Sequence, residues 1–556
     1  MSAPPSPTDE DVWNDVAKFY LIGLGARGQK ALDEFGVWKA VEEVCTAVVG
    51  RKDWSPESED GTETLFIDRP VTTQVLPRDK LVGVLHEQIL LNQLPYHHNI
   101  ELKYGYEVTP LNFNAISTQD HPDGSSSSEP AVHVRVSKCS EDIAGTSSTV
   151  RIQPSSDQSD DLCDPYNSYV VSTKLLIAAD GTSRTIANAM EKDDQQKLKT
   201  TTNPLKRLSL SSQAFHVKRY KDDNQRIYKT VPLKLPSASP DWRADLNYSA
   251  RSKTGRVVFD ALPADRNGNY CGVLLLKKED PMAQPNSNPQ ELRQLFEEYL
   301  PQFSSLLDEE TIQQIAKKPP SYLPAFRYAG PRLHQGPRTV ILGDCAHTVK
   351  PYFGLGANSA LEDVSVLGRA ISKTDDLTSA VKTFSDERSG EARALVRLSR
   401  ELDRPGFVGF LTFILPLILD AIFSKLAPQL FAPNTIAMLQ NEKIGFVDVG
   451  RRKRLDRIGQ VVILASAFGA SGFFIKTLVN GLATALGEQS TTIMGELTVM
   501  VVAILLLKNL ASYLTPGLAP ADVLNKTNSK VTDSKSEEIT YTQKENFVIP
   551  FGKKKK

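Results

Sequence analysis

The sequence shows no excess of either charge, no paired cysteines and no histidine cluster. Lys and Arg number 65 against 66 Asp and Glu, a formal net charge of −1, so no global electrostatic argument favours nucleic acid as a partner. Five cysteines (Cys45, Cys139, Cys163, Cys271, Cys345) are scattered over 556 residues without a CxxC pair. An odd count without ligand spacing reads as reduced thiols in an intracellular compartment. The eight histidines are equally dispersed and suggest no metal centre. Residues 1–17 are polar, with Pro4, Pro5 and Pro7 ahead of an acidic run, and lack the apolar core of a signal peptide. They are expected to be disordered.

A chain of this length has room for several domains. Its chemistry concentrates in residues 341–367, ILGDCAHTVKPYFGLGANSALEDVSVL. Val340, Ile341 and Leu342 end a strand, Gly343-Asp344 makes a turn, and a helix is expected from about Ala357. Asp344 thus stands at a strand's carboxyl end, where a carboxylate can hold a ribose or ribityl hydroxyl. Gly354 and Gly356 let backbone approach a flat ligand closely. The helix opening at Ala357–Asn358 aims unpaired N–H groups and a positive dipole end at that ligand. A flavin, whose pyrimidine edge becomes anionic on reduction, suits such a helix end.

The stretch resembles the second FAD motif of the aromatic-ring hydroxylase flavoproteins. It matches at Gly343, Asp344, Ala346, His347, Pro351, Gly354, Gly356, Asn358, Glu362 and Asp363, and departs at Cys345 and Leu355, where the family usually has Ala and Gln. His347 is expected to be a buried hydrogen-bonding or packing residue rather than a catalyst. Upstream, LLIAADG (175–181) ends a buried strand in Asp180-Gly181 and resembles the family's DG motif, implicated in contact with both FAD and NADPH. The usual Ser-x-x-Arg continuation is displaced, since Arg184 follows Ser183 directly. Arg78, in LPRDKL, resembles the family's FAD-contacting arginine.

Gly23, Gly25 and Gly28 admit two readings. They satisfy GxGxxG after a short apolar run, with a possible strand at 45–49 and then Arg51 and Lys52, which would suit a 2′-phosphate. That describes an NADP-binding reductase. Alternatively, Arg27-Gly28, Ala31-Leu32 and Gly36 resemble the RGxxAL…G helix that hydroxylases of the kynurenine 3-monooxygenase type carry downstream of their first βαβ unit. The separation from Arg27 to Arg78 favours the second reading. On it, the βαβ unit that would hold the ADP half of FAD is missing, either because the sequence begins late or because tight FAD binding has been lost. A membrane homologue without cofactor or activity is a third possibility.

The resemblance implies an α/β (α+β) flavoprotein hydroxylase fold. Residues 18–204 would form the first part of a Rossmann-like FAD domain lacking its first βαβ unit, with Ser-rich solvated insertions at 117–168 around a hairpin holding 132–136. Residues 205–335 would form a mixed substrate-domain sheet, 336–400 the second part of the FAD domain and 401–450 a helical substrate cover. Hydrophobic patterning predicts strands near 71–75, 100–103, 256–262 and 270–276, and helices at 78–94, 290–300, 365–369 and 380–402.

Residues 406–423 are apolar and read as a buried or interfacial helix containing Pro416. Arg451, Arg452, Lys453, Arg454 and Arg457 then precede apolar runs at 461–486 and 493–507. Residues 451–515 are accordingly expected to be a membrane hairpin with both ends cytosolic. The tail, 516–556, reads as disordered and ends in Lys553–Lys556, which fits a dilysine retrieval signal. The expected location is an intracellular membrane, endoplasmic reticulum or outer mitochondrial, with multi-pass anchoring and a cytosolic catalytic domain.

The resemblance further implies a monooxygenase in which NADPH reduces FAD and dioxygen forms a flavin hydroperoxide that passes one oxygen to a small aromatic substrate. No side-chain nucleophile is expected. Asp344 would hold the ribityl chain, the Ala357 and Asn358 backbone the pyrimidine edge, and Arg78 would brace the cofactor. Arg51 falls where the kynurenine enzymes bind the substrate carboxylate, a role suited to a bidentate guanidinium. The family's pocket tyrosines do not carry over: Phe66 and Phe431 stand in their places, and Leu402 stands where an asparagine is expected. Kynurenine is the nearest named substrate, and a more apolar aromatic or prenyl-type molecule fits these losses.

Overall fold

The computed structural model describes residues 3–13, 18–56, 60–66, 71–90, 99–120, 126–139, 163–236 and 241–485. The described residues divide into two compact units, one running up to residue 400 and the other beginning at residue 401.

The largest element of the first unit is a seven-stranded sheet. Its strand order is Ser321–Tyr322, Arg226–Lys234, Asn269–Lys277, Val258–Pro263, Leu246–Arg251, Gly50–Trp54 and Thr62–Leu65. All neighbours are antiparallel except Leu246–Arg251 and Gly50–Trp54, which run parallel. Strict alternation decides its buried face: Ile227, Val231 and Leu233 point inward along one strand, Phe259 and Ala261 along another. Helices Pro289–Tyr299 and Glu309–Lys317 supply part of the opposing layer. Asn288 and Asp308 cap them, and Leu292, Leu295 and Phe296 fall on one helical face. Trp54, Phe259, Phe296 and Phe303 pack between the layers.

A small antiparallel sheet, Leu21–Leu24, Thr73–Pro77 and Thr46–Val48, packs with helices Ala26–Glu34, Trp38–Glu43 and Arg78–Leu90 around Leu24, Leu32, Val41 and Leu76. Two further three-stranded sheets bear the motifs. In one, Leu176–Ala178 and Thr339–Ile341 are parallel neighbours, with His334–Gln335 on the outer edge. In the other, Arg327–Gly330 lies between His216–Arg219 and His347–Thr348, all antiparallel.

Four expectations need correction. The segment 100–103 is irregular, and the strand begins only at Tyr106. Residues 126–128, expected in a solvated insertion, belong to the strand Ser126–Cys139, the centre of an antiparallel sheet with Tyr106–Asp120 and Cys163–Thr173. Backbone pairing there overrides a Ser-rich composition. The N-terminal segment is structured in part: Glu10–Trp13 is helical, Ser6 Oγ donates to Glu87 at 2.6 Å, and Trp13 packs on Phe19. Gly83 is needed beneath it, because a Cβ there would lie 2.6 Å from the Pro5 carbonyl. Finally, the helix of the second motif starts at Leu355 rather than Ala357.

In the second unit, Gly406–Gly409, the π-turn Phe410–Ile414 and Leu415–Leu426 form one helical run, followed by Thr435–Gln440 and the long helix Phe446–Ala485. Of the two expectations for the first run, buried or interfacial, full burial is not met. Phe407, Val408, Phe410 and Leu411 are exposed, while Leu417, Asp420 and Phe423 face inward. Gly406–Leu426 and Phe446–Leu478 are long and apolar enough to cross a membrane by length and composition. The basic block lies inside the long helix, and much of it is already paired. Asp420, fully buried, takes Lys453 Nζ at 3.1 Å and Arg457 Nη2 at 2.7 Å, and Asp456 takes Lys453 and Arg452 at 3.1 Å each. The second apolar run, 493–507, and the tail with Lys553–Lys556 lie outside the described residues.

Phe303 is fully buried among Trp54, Trp242 and Phe259. Phe303→Ala should destabilise the first unit by about 3–5 kcal/mol through lost burial and a residual cavity, read as a lower denaturation midpoint in urea.

Candidate functional site

The parallel pair Leu176–Ala178 and Thr339–Ile341 brings the two motif turns side by side. Ile177 lies opposite Val340, and the Leu342 N–H donates to the Ala178 carbonyl at 3.1 Å. Both strands then turn at a left-handed glycine, Gly181 (φ +61°) and Gly343 (φ +62°), placing Asp180 and Asp344 at the carboxyl end of the pair. Open α/β sheets bind ligands at that end. A Cβ at Gly181 would meet nothing within 4 Å, so the turn faces open space.

A buried carboxylate fixes the second turn. Asp363 accepts from the Gly343 N–H at 2.8 Å, His347 Nε2 at 2.7 Å and Arg388 Nε at 2.8 Å. Burial alone would raise its pKa, but His347, Arg388 and the Gly343 amide outweigh that and pull it down to about 2. Arg388 also reaches Glu362 at 3.0 Å, and Glu362 takes Arg27 at 2.6 Å. His347 is therefore a fully buried hydrogen-bonding residue.

The first turn is joined to the second by Arg184. This residue is buried, left-handed (φ +54°) and precedes the helix Thr185–Thr200. Its guanidinium donates to the Asp344 carbonyl at 2.7 Å, to the Thr182 carbonyl at 3.0 Å and to Thr348 Oγ1. Asp180 Oδ2 accepts the Ile186 N–H of that helix at 3.2 Å. The displaced Arg184 was the one signal for this brace in the sequence. Asp344 itself is partly buried; burial pushes its carboxyl pKa up, against the pull of His347, Arg184 and Arg78. Cys345 is a buried thiol pushed up by burial and by nearby Asp180, so it is a poor nucleophile.

Pro351–Phe353 makes a 3-10 turn, Gly354 is left-handed (φ +62°), and the helix Leu355–Lys373 follows with no side-chain cap. Starting there, the helix leaves the N–H groups of Leu355, Gly356 and Ala357 without intrahelical acceptors. Asn358, the fourth residue, is past that set, so its backbone N–H is not among the helix's open donors. At Gly356 a Cβ would find only Val349 at 3.6 Å. The turn is anchored through Lys350, whose Nζ donates to Asp222 Oδ1 at 2.8 Å and the Asn224 carbonyl at 2.7 Å.

The Asn358 side chain has a different task. Its Nδ2 donates to the Gly23 and Gly354 carbonyls at 2.8 and 2.6 Å, and its Oδ1 accepts from the Gly25 and Gly28 N–H groups at 2.9 and 3.2 Å. The glycine turn's amides are thus occupied by protein, and a Cβ at Gly28 would lie 2.4 Å from Asn358 Oδ1. Its strand, Leu21–Leu24, and the next, Thr46–Val48, both pair antiparallel to Thr73–Pro77 rather than to each other. The phosphate-loop reading of Gly23–Gly28, and the reductase built on it, fail on both counts.

Arg78 begins the helix Arg78–Leu90, with its N–H on the Tyr20 carbonyl at 2.9 Å and its guanidinium on Asp79; its charge reaches Asp344. Arg51 lies elsewhere, on the seven-stranded sheet, where Asp53 on the same strand face pairs with it. Phe66 packs against Leu21, Val48, Val75 and Cys271. In the other unit, Phe431 meets Phe423 edge to face, and Leu402 lies in the turn after helix Leu377–Glu401. Among the described residues, no group of His, Cys, Asp or Glu is suited to a metal.

The uncapped helix, the left-handed Gly354, the open face of Gly181 and the partly exposed Asp344 fit the ribityl and ring portions of a flavin. An FAD binding domain family profile matches residues 134–399. Kynurenine 3-monooxygenase of Aspergillus oryzae is 29% identical over 210 residues, 34% of this chain and 41% of that protein. Kynurenine 3-monooxygenase of Stenotrophomonas maltophilia is 33% identical over 128 residues, 23% of this chain and 28% of its own length. The chain therefore spans less than half the length of these relatives. Among solved structures, a variant of Klebsiella pneumoniae HpxO complexed with FAD superposes with a TM-score of 0.45 at 15% identity, covering 71% of this chain and 82% of that one.

The Asp363 hub sets an acid limit. Its folded pKa lies below the ordinary carboxylate value of about 3.9, so its stabilisation is complete above that value and is lost as pH falls toward 2. Asp363→Ala, which strands Arg388 in the interior, should cost about 3–5 kcal/mol at neutral pH and flatten the acid side of a plot of unfolding midpoint against pH.

Proposed function

We propose that the chain is a member of the FAD-dependent aromatic-ring hydroxylases, a monooxygenase using NADPH and dioxygen to hydroxylate a small aromatic substrate; the FAD binding domain match and the kynurenine 3-monooxygenase relatives support this reading. The observation that carries this is the meeting of the Asp180-Gly181 and Gly343-Asp344 turns on one parallel strand pair, beside an uncapped helix. FAD bound there supplies the redox and oxygen-transfer chemistry.

The chain's own residues have distinct tasks on this reading. Asp344 accepts a ribityl hydroxyl, and Arg184 holds its backbone in place. The N–H groups of Gly356 and Ala357, at the positive end of a nineteen-residue helix, stabilise negative charge on the ring's pyrimidine edge. Pro351 and Gly354 set the angle at which that helix meets the ring. Asp180 and Gly181 would border the cofactor's phosphate side, and Arg78, whose charge acts on Asp344, would brace the cofactor.

Relatives that are kynurenine 3-monooxygenases support a small aromatic substrate. Arg51 would take a substrate carboxylate by exchanging its Asp53 partner. Phe66 offers no hydrogen bond to a polar ring substituent, which favours an aromatic molecule more apolar than kynurenine. The exposed apolar helices Gly406–Leu426 and Phe446–Leu478 support attachment to an intracellular membrane, endoplasmic reticulum or outer mitochondrial, with the catalytic unit cytosolic.

Purified full-length protein in detergent should carry FAD, seen by absorbance and by release on denaturation. Asp344→Ala should reduce bound flavin at least tenfold without altering the far-ultraviolet circular dichroism. NADPH oxidation should rise on adding kynurenine or a more apolar aryl analogue. Wild-type protein that takes up no flavin, even when FAD is supplied, would sink this reading.

A further inference from the structure

The sheet that carries His347–Thr348 also carries a row of arginines. Arg219 lies directly opposite Arg327, and Arg327 directly opposite Thr348, in consecutive antiparallel pairs. Directly opposed residues on neighbouring strands share a face, so Arg219, Arg327 and Thr348 project to the same side. Thr348 Oγ1 in turn accepts from Arg184. Three guanidinium groups thus form a line that starts exposed at Arg219, passes half-buried Arg327 and ends at buried Arg184 beside the Asp344 carbonyl.

Like charges facing each other across a sheet repel, and burial makes this worse. Burial, and then Arg219, work against the charge on Arg327; burial, and then Arg327, work against the charge on Arg184. Acids stand at both ends of the row. Glu191 Oε2 pairs with Arg219 at 3.2 Å, joined by Asn188 Oδ1 at 3.1 Å, and Asp180 and Asp344 lie near Arg184. Arg184 Nε is a buried donor with no hydrogen-bond partner. An unused donor and repelling cations in one line describe a place for a multivalent anion.

We propose that the row Arg219–Arg327–Arg184 is an anion site that takes the phosphate groups of a nicotinamide dinucleotide. Planar, forked guanidinium groups bind phosphate in bidentate fashion. The row runs from solvent to the turns of the candidate flavin site, so a dinucleotide whose phosphates are held along it keeps its ring close to those turns. This assignment rests on the monooxygenase reading for the identity of the reductant, while the anion site itself stands on the strand register.

The test is isothermal titration of the detergent-solubilised full-length protein with NADP+, and separately with inorganic pyrophosphate, with flavin content measured alongside. Wild type should bind NADP+, more weakly as salt is raised. Arg327→Gln and Arg219→Gln should each weaken NADP+ about tenfold or more, with flavin content unchanged, whereas Arg207→Gln on the exposed helix Pro204–Gln213 should leave affinity unaltered. Arg327→Lys keeps the charge but removes the fork, and should lie between wild type and Arg327→Gln. Unchanged NADP+ affinity in the glutamine variants would overturn the proposal. So would a loss confined to pyrophosphate, which would make the row a site for free phosphate. Absent flavin with intact, arginine-dependent NADP+ binding would count against the monooxygenase reading and leave the anion site standing.

Discussion

One buried carboxylate holds the functional half of this chain together. Asp363 gathers the Gly343 amide, His347 and Arg388 in the interior, and Arg388 passes the connection to Glu362 and on to Arg27. Four segments distant in sequence meet there: the N-terminal helix of the RG motif, the Gly343 turn, the helix Leu355–Lys373 and the helix Leu377–Glu401. A buried charge is tolerable only where such partners surround it. Once they do, the turn bearing Asp344 cannot shift without breaking several charge-assisted bonds at once, which is the rigidity a cofactor site requires.

Asn358 completes that clamp from the other side. Its amide satisfies two carbonyls and two N–H groups, sealing the glycine turn against the start of the motif helix. The glycines at 23–28 serve close packing of protein on protein, because the absence of a Cβ at Gly28 is what lets Asn358 approach. A pattern able to cradle phosphate and a pattern able to receive an asparagine are the same string of letters. Hydrogen-bond partners tell them apart.

The second unit makes a similar point with charge. A basic block beside an apolar run reads as a membrane flank, yet Lys453, Arg452 and Arg457 are engaged by Asp456 and Asp420. These pairs bind the helix Leu415–Leu426 to the helix Phe446–Ala485. The cations of this block without an acidic partner are fewer than their count suggests, since Arg451 also reaches Asp448 at 3.4 Å. The apolar faces of both helices remain exposed.

What was legible in the sequence was whatever depends on local chain chemistry. The GD and DG turns were visible because a glycine with positive φ beside an aspartate at a strand end is a local requirement, and the amphipathic helices at 78–90 and 289–299 were visible from their spacing. The sequence also pointed His347 inward, as a residue within a motif otherwise made for close packing. Tertiary structure alone decided the rest, because it depends on partners remote along the chain. Asp363 needs Arg388, Asn358 needs Gly23–Gly28, and Asp420 needs Lys453 and Arg457. Strand register and helix docking choose those neighbours, and no local pattern in the sequence states which remote group will stand across from a given side chain.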